Sequence, residues 1–223
     1  MRGDHEWGTV PGLVRSTVER FGDREGIVDG DVRLTFAELA DAGRRAAEAL
    51  VASGVEKGDR VSIWAPNIAE WVIALLGIHG AGAVMVPLNT RFKGEEAAYI
   101  LEASGARLIF TVQGFLGTDY VGMLREAGVD LPVVVLRGEA PEGTTGWDDF
   151  LGRGDGAPLP EVGSDDLSDV MFTSGTTGKP KGVMTTHAQT LRTFETWSGL
   201  LGLGEGDRYL IVNPFFHTFG YKA

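Results

Sequence analysis

Four short β-branched runs, separated by stretches with helical patterning, constrain this chain more than any other feature. "RVSIW" (60–64), "AVMVP" (83–87), "RLIFTV" (107–112) and "LPVVVL" (131–136) are separated by helical patterns at about 67–80, 94–104 and 119–128. Strands that alternate with helices form βαβ units, and such units build largely parallel sheets. Runs that are apolar almost throughout, without in–out alternation, belong to strands covered on both faces. The expected class is α/β, with largely parallel sheets and helices on both faces.

Local signals refine this expectation. In "LTFAEL" (34–39), Thr35 can cap a helix, Glu38 can reach back to its backbone, and Leu34 can staple onto Leu39. The helix continues through Leu39, Leu50 and Val51, leaving Arg44, Arg45 and Glu48 for water. "NIAE" (67–70) repeats the capping pattern before an apolar helix from Trp71 to Ile78, and Glu95 and Glu96 suit the first turn of another. Residues 137–164 are rich in Gly and Pro and read as a long surface connection, which can also mark a boundary between structural halves. Beyond it come a strand "DVMFT" (169–173), a polar loop, a helix at about 188–199 and a strand "RYLIVN" (208–213).

Bulk properties exclude several functions. The net charge of −11 and the lack of a basic block argue against recognition of nucleic-acid phosphates. An acidic chain that handles an anion must do so at a local site. There are no cysteines, so disulfides, thiol catalysis and zinc ribbons are excluded, and a reducing cytoplasm is the expected location. The polar start lacks the apolar run of a signal peptide. The longest apolar stretch, Trp71 to Leu88, is broken by His79 and three glycines and reads as a buried helix leading into a strand.

The loop "TSGTTGKPKG" (173–182) holds four hydroxyls, three glycines, two lysines and a proline. Glycines let successive N–H groups close on an anion. Thr173, Ser174, Thr176 and Thr177 add hydroxyl donors, and Lys179 and Lys181 add charge. A following helix N-terminus would contribute about 0.3–1 kcal/mol toward an anion. This inventory suits a polyphosphate; the alternative is a solvated loop of common loop residues. It is not a Walker A loop, because Thr173 stands where glycine is required and Pro180 where the magnesium-binding hydroxyl would be. "GRGDGA" (152–157) fits a dinucleotide fingerprint by spacing, but lies in the Gly/Pro-rich connection rather than between strand and helix. His5, His79, His187 and His217 show no metal-ligand spacing. His217, in "PFFHTFG", is either a packing residue or a site residue on chemistry alone.

"DVMFTSGTTGKPKGVM" (169–184) resembles the signature of the acyl-adenylating, AMP-forming enzymes: acyl-CoA ligases, luciferases and nonribosomal-peptide adenylation domains. "PFFHTFG" (214–220), "LTFAEL", "GDRVSIWAPNIAEW" (58–71) and "GAVMVPLNTR" (82–91) resemble the same family, so the likeness spans about residues 10 to 223. It implies joining of a carboxylate to AMP with release of pyrophosphate, then transfer of the acyl group to a thiol. It further implies that Thr173, Ser174, Gly175, Thr176, Thr177, Gly178, Lys179 and Lys181 bind the ATP phosphates, while His217 borders the carboxylate pocket. ATP, Mg2+ and coenzyme A are the implied cofactor and co-substrates.

The motif around His217 has no acidic residue to pair with a substrate ammonium, as amino-acid-activating relatives tend to have. That favours a simple carboxylic acid, and the narrower likeness is to bacterial ligases of fatty or steroid-side-chain acids. Relatives are often homodimers. The resemblance places the metal-binding glutamate, adenylation lysine and adenine contacts beyond residue 223. The chain is therefore expected to be a partial N-terminal domain, inactive alone; the alternative is a non-catalytic nucleotide-binding or structural fragment.

Overall fold

The computed structural model describes residues 6–173 and 179–222. The main sheet has seven strands in the order β7-β6-β5-β3-β4-β8-β9. They are β3 (Arg60–Trp64), β4 (Val84–Pro87), β5 (Ala106–Val112), β6 (Val133–Arg137), β7 (Thr145–Gly146), β8 (Leu167–Thr173) and β9 (Lys181–Thr186). All neighbours are parallel except β8 and β9, which form an antiparallel pair. A separate antiparallel pair joins β1 (Glu25–Asp29) to β2 (Val32–Thr35).

The chain steps from β3 to β4 in one direction and from β4 to β5 and on to β6 in the other. With right-handed crossovers, that reversal puts successive helices on opposite faces. On one side α1 (Val10–Phe21) packs on α2 (Phe36–Ala52) and α3 (Ala69–Gly80), joined by α6 (Trp147–Leu151) and α7 (His187–Leu201). On the other, α4 (Gly94–Ser104) packs on α5 (Tyr120–Glu126). The expected α/β class with helices on both faces is the observed one.

The core runs through the middle of the sheet. Val61, Ile63, Trp64, Met85, Val86, Ile109 and Phe110 are wholly buried or nearly so, as strands covered on both faces require. Helices α2 and α3 cross closely because small residues meet there: a Cβ on Gly77 would lie 2.6 Å from that of Ala46, and one on Gly43 2.8 Å from that of Leu76. The α2 capping box forms as read, with Glu38 accepting from Thr35 N at 2.8 Å and Thr35 Oγ1 from Glu38 N at 3.2 Å. Leu34 packs into the Leu39 cluster.

Several expectations are corrected. Residues 208–213 do not form a strand; among the described residues they join no ladder, and Leu210 and Val212 face solvent. β-propensity describes fit to an adjacent strand, and none is present among the described residues. Glu48 is buried rather than solvated, held by Arg44 at 2.5 Å and covered by the backbone of Gly154. Residues 137–164 are not all surface: Phe150 is fully buried and Trp147 and Phe150 pack against Phe110. The "NIAE" stretch does not cap α3 with its asparagine. Ile68 takes the cap position without a side-chain bond, and Ala69 N donates instead to Asp29 Oδ2 at 3.1 Å.

Candidate active site

The parallel strands deliver their C-terminal ends to one edge of the sheet. β3 and β5 sit side by side there, and the connections diverge at that point. In open α/β sheets such a divergence is where ligands bind. A cavity of about 870 Å³ opens at this edge. Its walls are the residues that follow the strands: Pro66 and Asn67 after β3, Asn89 to Lys93 after β4, and Phe115, Leu116 and Thr118 after β5. Tyr120 and Met123 of α5 close one side, and Ile211, Val212, Pro214, Phe216 and His217 close another.

The cavity is largely apolar with a few polar groups. Tyr120 donates to Thr90 O at 3.1 Å and meets Trp64 edge-on at 4.7 Å, and burial pushes its phenol up. Arg91 and Lys93 give the lining positive charge. His217 is exposed into it, with its ring 4.7 Å from that of Phe216.

Residues 213–217 owe their place to Asn67. Its Nδ2 donates to Asn213 O at 2.9 Å, and its Oδ1 accepts from Phe215 N at 2.8 Å. The asparagine expected to cap α3 thus holds the "PFFH" turn across 146 residues of sequence. Trp71, 1% exposed, packs its ring 4.9 Å from Phe215. The turn folds tightly after His217: a Cβ on Gly220 would stand 1.9 Å from Pro214 O, so only glycine fits. The glycine of "HTFG" is therefore demanded by packing.

The hydroxyl- and glycine-rich loop bridges β8 and β9. Thr173 ends β8 and lies opposite Lys181, the first residue of β9, and both are exposed. Their side of the sheet is the edge on which the parallel strands end. Lys179 is exposed and lies 5.5 Å from the centre of the Tyr99 ring, whose hydroxyl donates to Pro180 O at 3.4 Å. Tyr99, on α4, seats the loop's exit and carries no sequence signal for doing so. Gly182 serves packing: a Cβ there would come 2.7 Å from Val170 Cγ1. Ser174, Gly175, Thr176, Thr177 and Gly178 lie outside the described residues. The structure thus pairs Thr173 with Lys181 and sets Lys179 on Tyr99, while His217 lines the cavity, whose walls include none of these three.

Beneath β8 lies a buried polar group the sequence did not reveal. His79 Nε2 donates to Ser168 O at 3.0 Å, and its ring meets that of His187 at 5.0 Å. Burial pushes His79 down to about 3 and His187 to about 4, so both rings are neutral near pH 7. Among the described residues no group of three His, Asp or Glu side chains could hold a metal ion. Among the described residues no helix is long and apolar enough to cross a membrane.

The family profile of the AMP-binding enzymes matches residues 14–223. A 3-[(3aS,4S,7aS)-7a-methyl-1,5-dioxo-octahydro-1H-inden-4-yl]propanoyl:CoA ligase of Rhodococcus jostii (strain RHA1) is 44% identical over 96% of this chain and 44% of its own length. A long-chain-fatty-acid–CoA ligase, FadD13, of Mycobacterium tuberculosis is 34% identical over 84% of this chain and 36% of its own. Among solved structures, the anthranilate CoA ligase AuaEII in complex with anthranoyl-AMP superposes with a TM-score of 0.86 at 27% identity, covering 98% of this chain and 43% of that one. The O-succinylbenzoate coenzyme A synthetase of Bacillus subtilis in complex with AMP gives a TM-score of 0.76 at 30% identity, over 94% of this chain and 51% of that one. The chain spans less than half the length of these curated relatives and corresponds to their N-terminal part. By sequence and by fold, this chain belongs to the AMP-binding enzyme family.

Proposed function

We propose that this chain is the partial N-terminal domain of an ATP-dependent acyl-CoA ligase, contributing the grip on ATP's phosphate tail and one wall of the acyl pocket. One observation carries the reading: Thr173 and Lys181, the two ends of the hydroxyl- and glycine-rich segment, stand on the same sheet edge as an apolar cavity lined by His217. Thr173, Lys179 and Lys181, with Ser174 to Gly178 between them, bind the β- and γ-phosphates. The substrate carboxylate attacks the α-phosphorus in line, an acyl–adenylate bond forms, and pyrophosphate leaves. Charge on the departing group is what the lysines and hydroxyls offset, and such fixed donors act mainly through positioning and electrostatics. Magnesium would neutralise further phosphate charge when bound. His217 orients the incoming carboxylate, and the thiol of coenzyme A then takes the acyl group.

The substrate class follows from the apolar lining and the relatives. A bulky apolar acid, of the polycyclic propanoate or long-chain type named for the two ligases above, fits a cavity walled by Phe92, Phe115, Met123 and Phe216. We place the protein in the cytoplasm, as a homodimer, and read the 223-residue chain alone as incompetent for adenylation. Acid-dependent exchange of radiolabelled pyrophosphate into ATP tests this. It should be absent for the chain and present in a ligase that contains it, with at least about a hundredfold loss on Lys179→Ala combined with Thr176→Ala. Turnover by the short chain, or unchanged exchange in the double variant, contradicts the reading.

A further inference from the structure

Three contacts hold residues 213–222 against the body of the molecule. Asn67 grips the backbone at 213 and 215, and Trp71 packs on Phe215 and, at 6.0 Å, on Tyr221. The third is an ion pair shut away from water. Lys222 Nζ lies 2.9 Å from Asp169 Oδ2 and 3.2 Å from Oδ1, with the two side chains 4% and 0% exposed. Asp169 Oδ2 also accepts from Ser168 Oγ at 2.8 Å and from Thr190 Oγ1 at 3.2 Å, so strand β8 and helix α7 both converge on this carboxylate.

A buried pair of this kind is a poor source of stability. Taking both charges out of water costs about as much as their attraction returns, and a well-packed apolar pair often does as well or better. Apolar side chains at both 169 and 222 would fill the same space beside the short helix α8 (Thr218–Tyr221) without a charge. What an ion pair adds is selectivity: the amine has one place where its charge is matched, so a slipped arrangement leaves two buried charges alone. The location gives that selectivity a use. Asp169 lies four residues before Thr173 on β8, about 13 Å along an extended strand, and Lys222 lies five residues after His217.

We propose that the Asp169–Lys222 pair is a clamp that sets His217 relative to the strand carrying the 173–181 turn, which makes Lys222 a positioning residue for the acyl site. The clamp's catalytic meaning rests on the reading of His217 and the turn given under Proposed function; its geometry does not.

Amide hydrogen exchange and histidine resonances of the labelled chain test the clamp. Lys222→Met should speed exchange at 216–222 by about thirtyfold and move the His217 signals, while amides of β3 and β5 stay protected. Unchanged exchange and unchanged His217 signals, or equal loosening of every strand, would overturn it. Where Lys222→Met fails to fold, Asp169→Asn combined with Lys222→Met removes both charges. That variant should fold and still lose the His217 position, and wild-type His217 signals there overturn the clamp. In the complete ligase, Lys222→Met should raise KM for the acid about tenfold and leave KM for ATP unchanged, whereas a general loss of folded enzyme lowers kcat alone. Equal changes in both KM values, or in neither, overturn the positioning role. If Lys222→Met shows the exchange effect while the wild-type chain binds no tripolyphosphate, the functional reading falls and the clamp stands.

Discussion

Strand β3 and residues 208–213 are alike in composition and opposite in fate. "RVSIW" is covered on both faces, with Val61, Ile63 and Trp64 fully buried between β4 and β5. "RYLIVN" joins no strand ladder among the described residues, and Leu210 is 81% exposed. The contrast extends outward. Of the twelve large hydrophobic side chains that the described residues leave exposed, eight lie after residue 180, whereas the main core draws mostly on residues before 151. β-branched composition alone therefore does not make a strand; the ladder needs a neighbour on at least one side and a layer to cover it.

The largest effect should come from the covered half. Phe110 is fully buried and meets Trp147 and Phe150 edge-on. Phe110→Ala should cost about 3–5 kcal/mol in urea denaturation. Leu210→Ala, in the uncovered half, should change stability by no more than about 0.5 kcal/mol. Equal losses at the two positions would mean that 208–213 is as well covered as β3, and the comparison would fail.

The acid limb of stability sharpens the same contrast. His79 and His187 are depressed by burial to about 3 and about 4, so the unfolded chain binds more protons than the folded one from about 6.5 downward. Stability should hold above pH 6.5 and fall as pH drops toward 4, with a slope approaching about 1.4 kcal/mol per pH unit for each histidine. Asp166, held low by the Lys57 ammonium and the Gly163 amide, adds a further loss at lower pH still. Chemical denaturation across pH 4 to 7 measures this, and His187→Gln should flatten the curve. A profile that is flat in the wild-type chain contradicts the neutral buried pair.

A modest loss is expected at an exposed helix end. Thr35→Ala removes one half of the α2 capping box and should cost about 1 kcal/mol, visible as a lower urea midpoint.

These positions also separate what sequence reading reaches from what it misses. The α2 cap is legible because Thr35 and Glu38 are three residues apart and act on each other. The central strands are legible because burial on both faces leaves an unbroken apolar run. Asn67 misleads because local spacing suits a cap, whereas its partners lie at 213 and 215. Strand β9 escapes notice because "KGVMTT" begins as part of the polar loop and becomes a strand only by pairing with β8. The Asp169–Lys222 pair crosses 53 residues, and nothing local marks either member. In the site itself the loop is visible through residue type, and His217 only through the family resemblance of its motif. Tyr99, Asn67 and the cavity walls are visible only once the strand ends are gathered on one edge.

The central claim is that the 173–181 turn grips a polyphosphate. Calorimetric binding of tripolyphosphate, ATP and AMP to the 223-residue chain tests it most directly. Tripolyphosphate and ATP should bind within about threefold of each other and AMP at least about tenfold more weakly, and Lys179→Ala should weaken the first two about tenfold. AMP binding as tightly as ATP, or tripolyphosphate binding that ignores Lys179, would contradict the account.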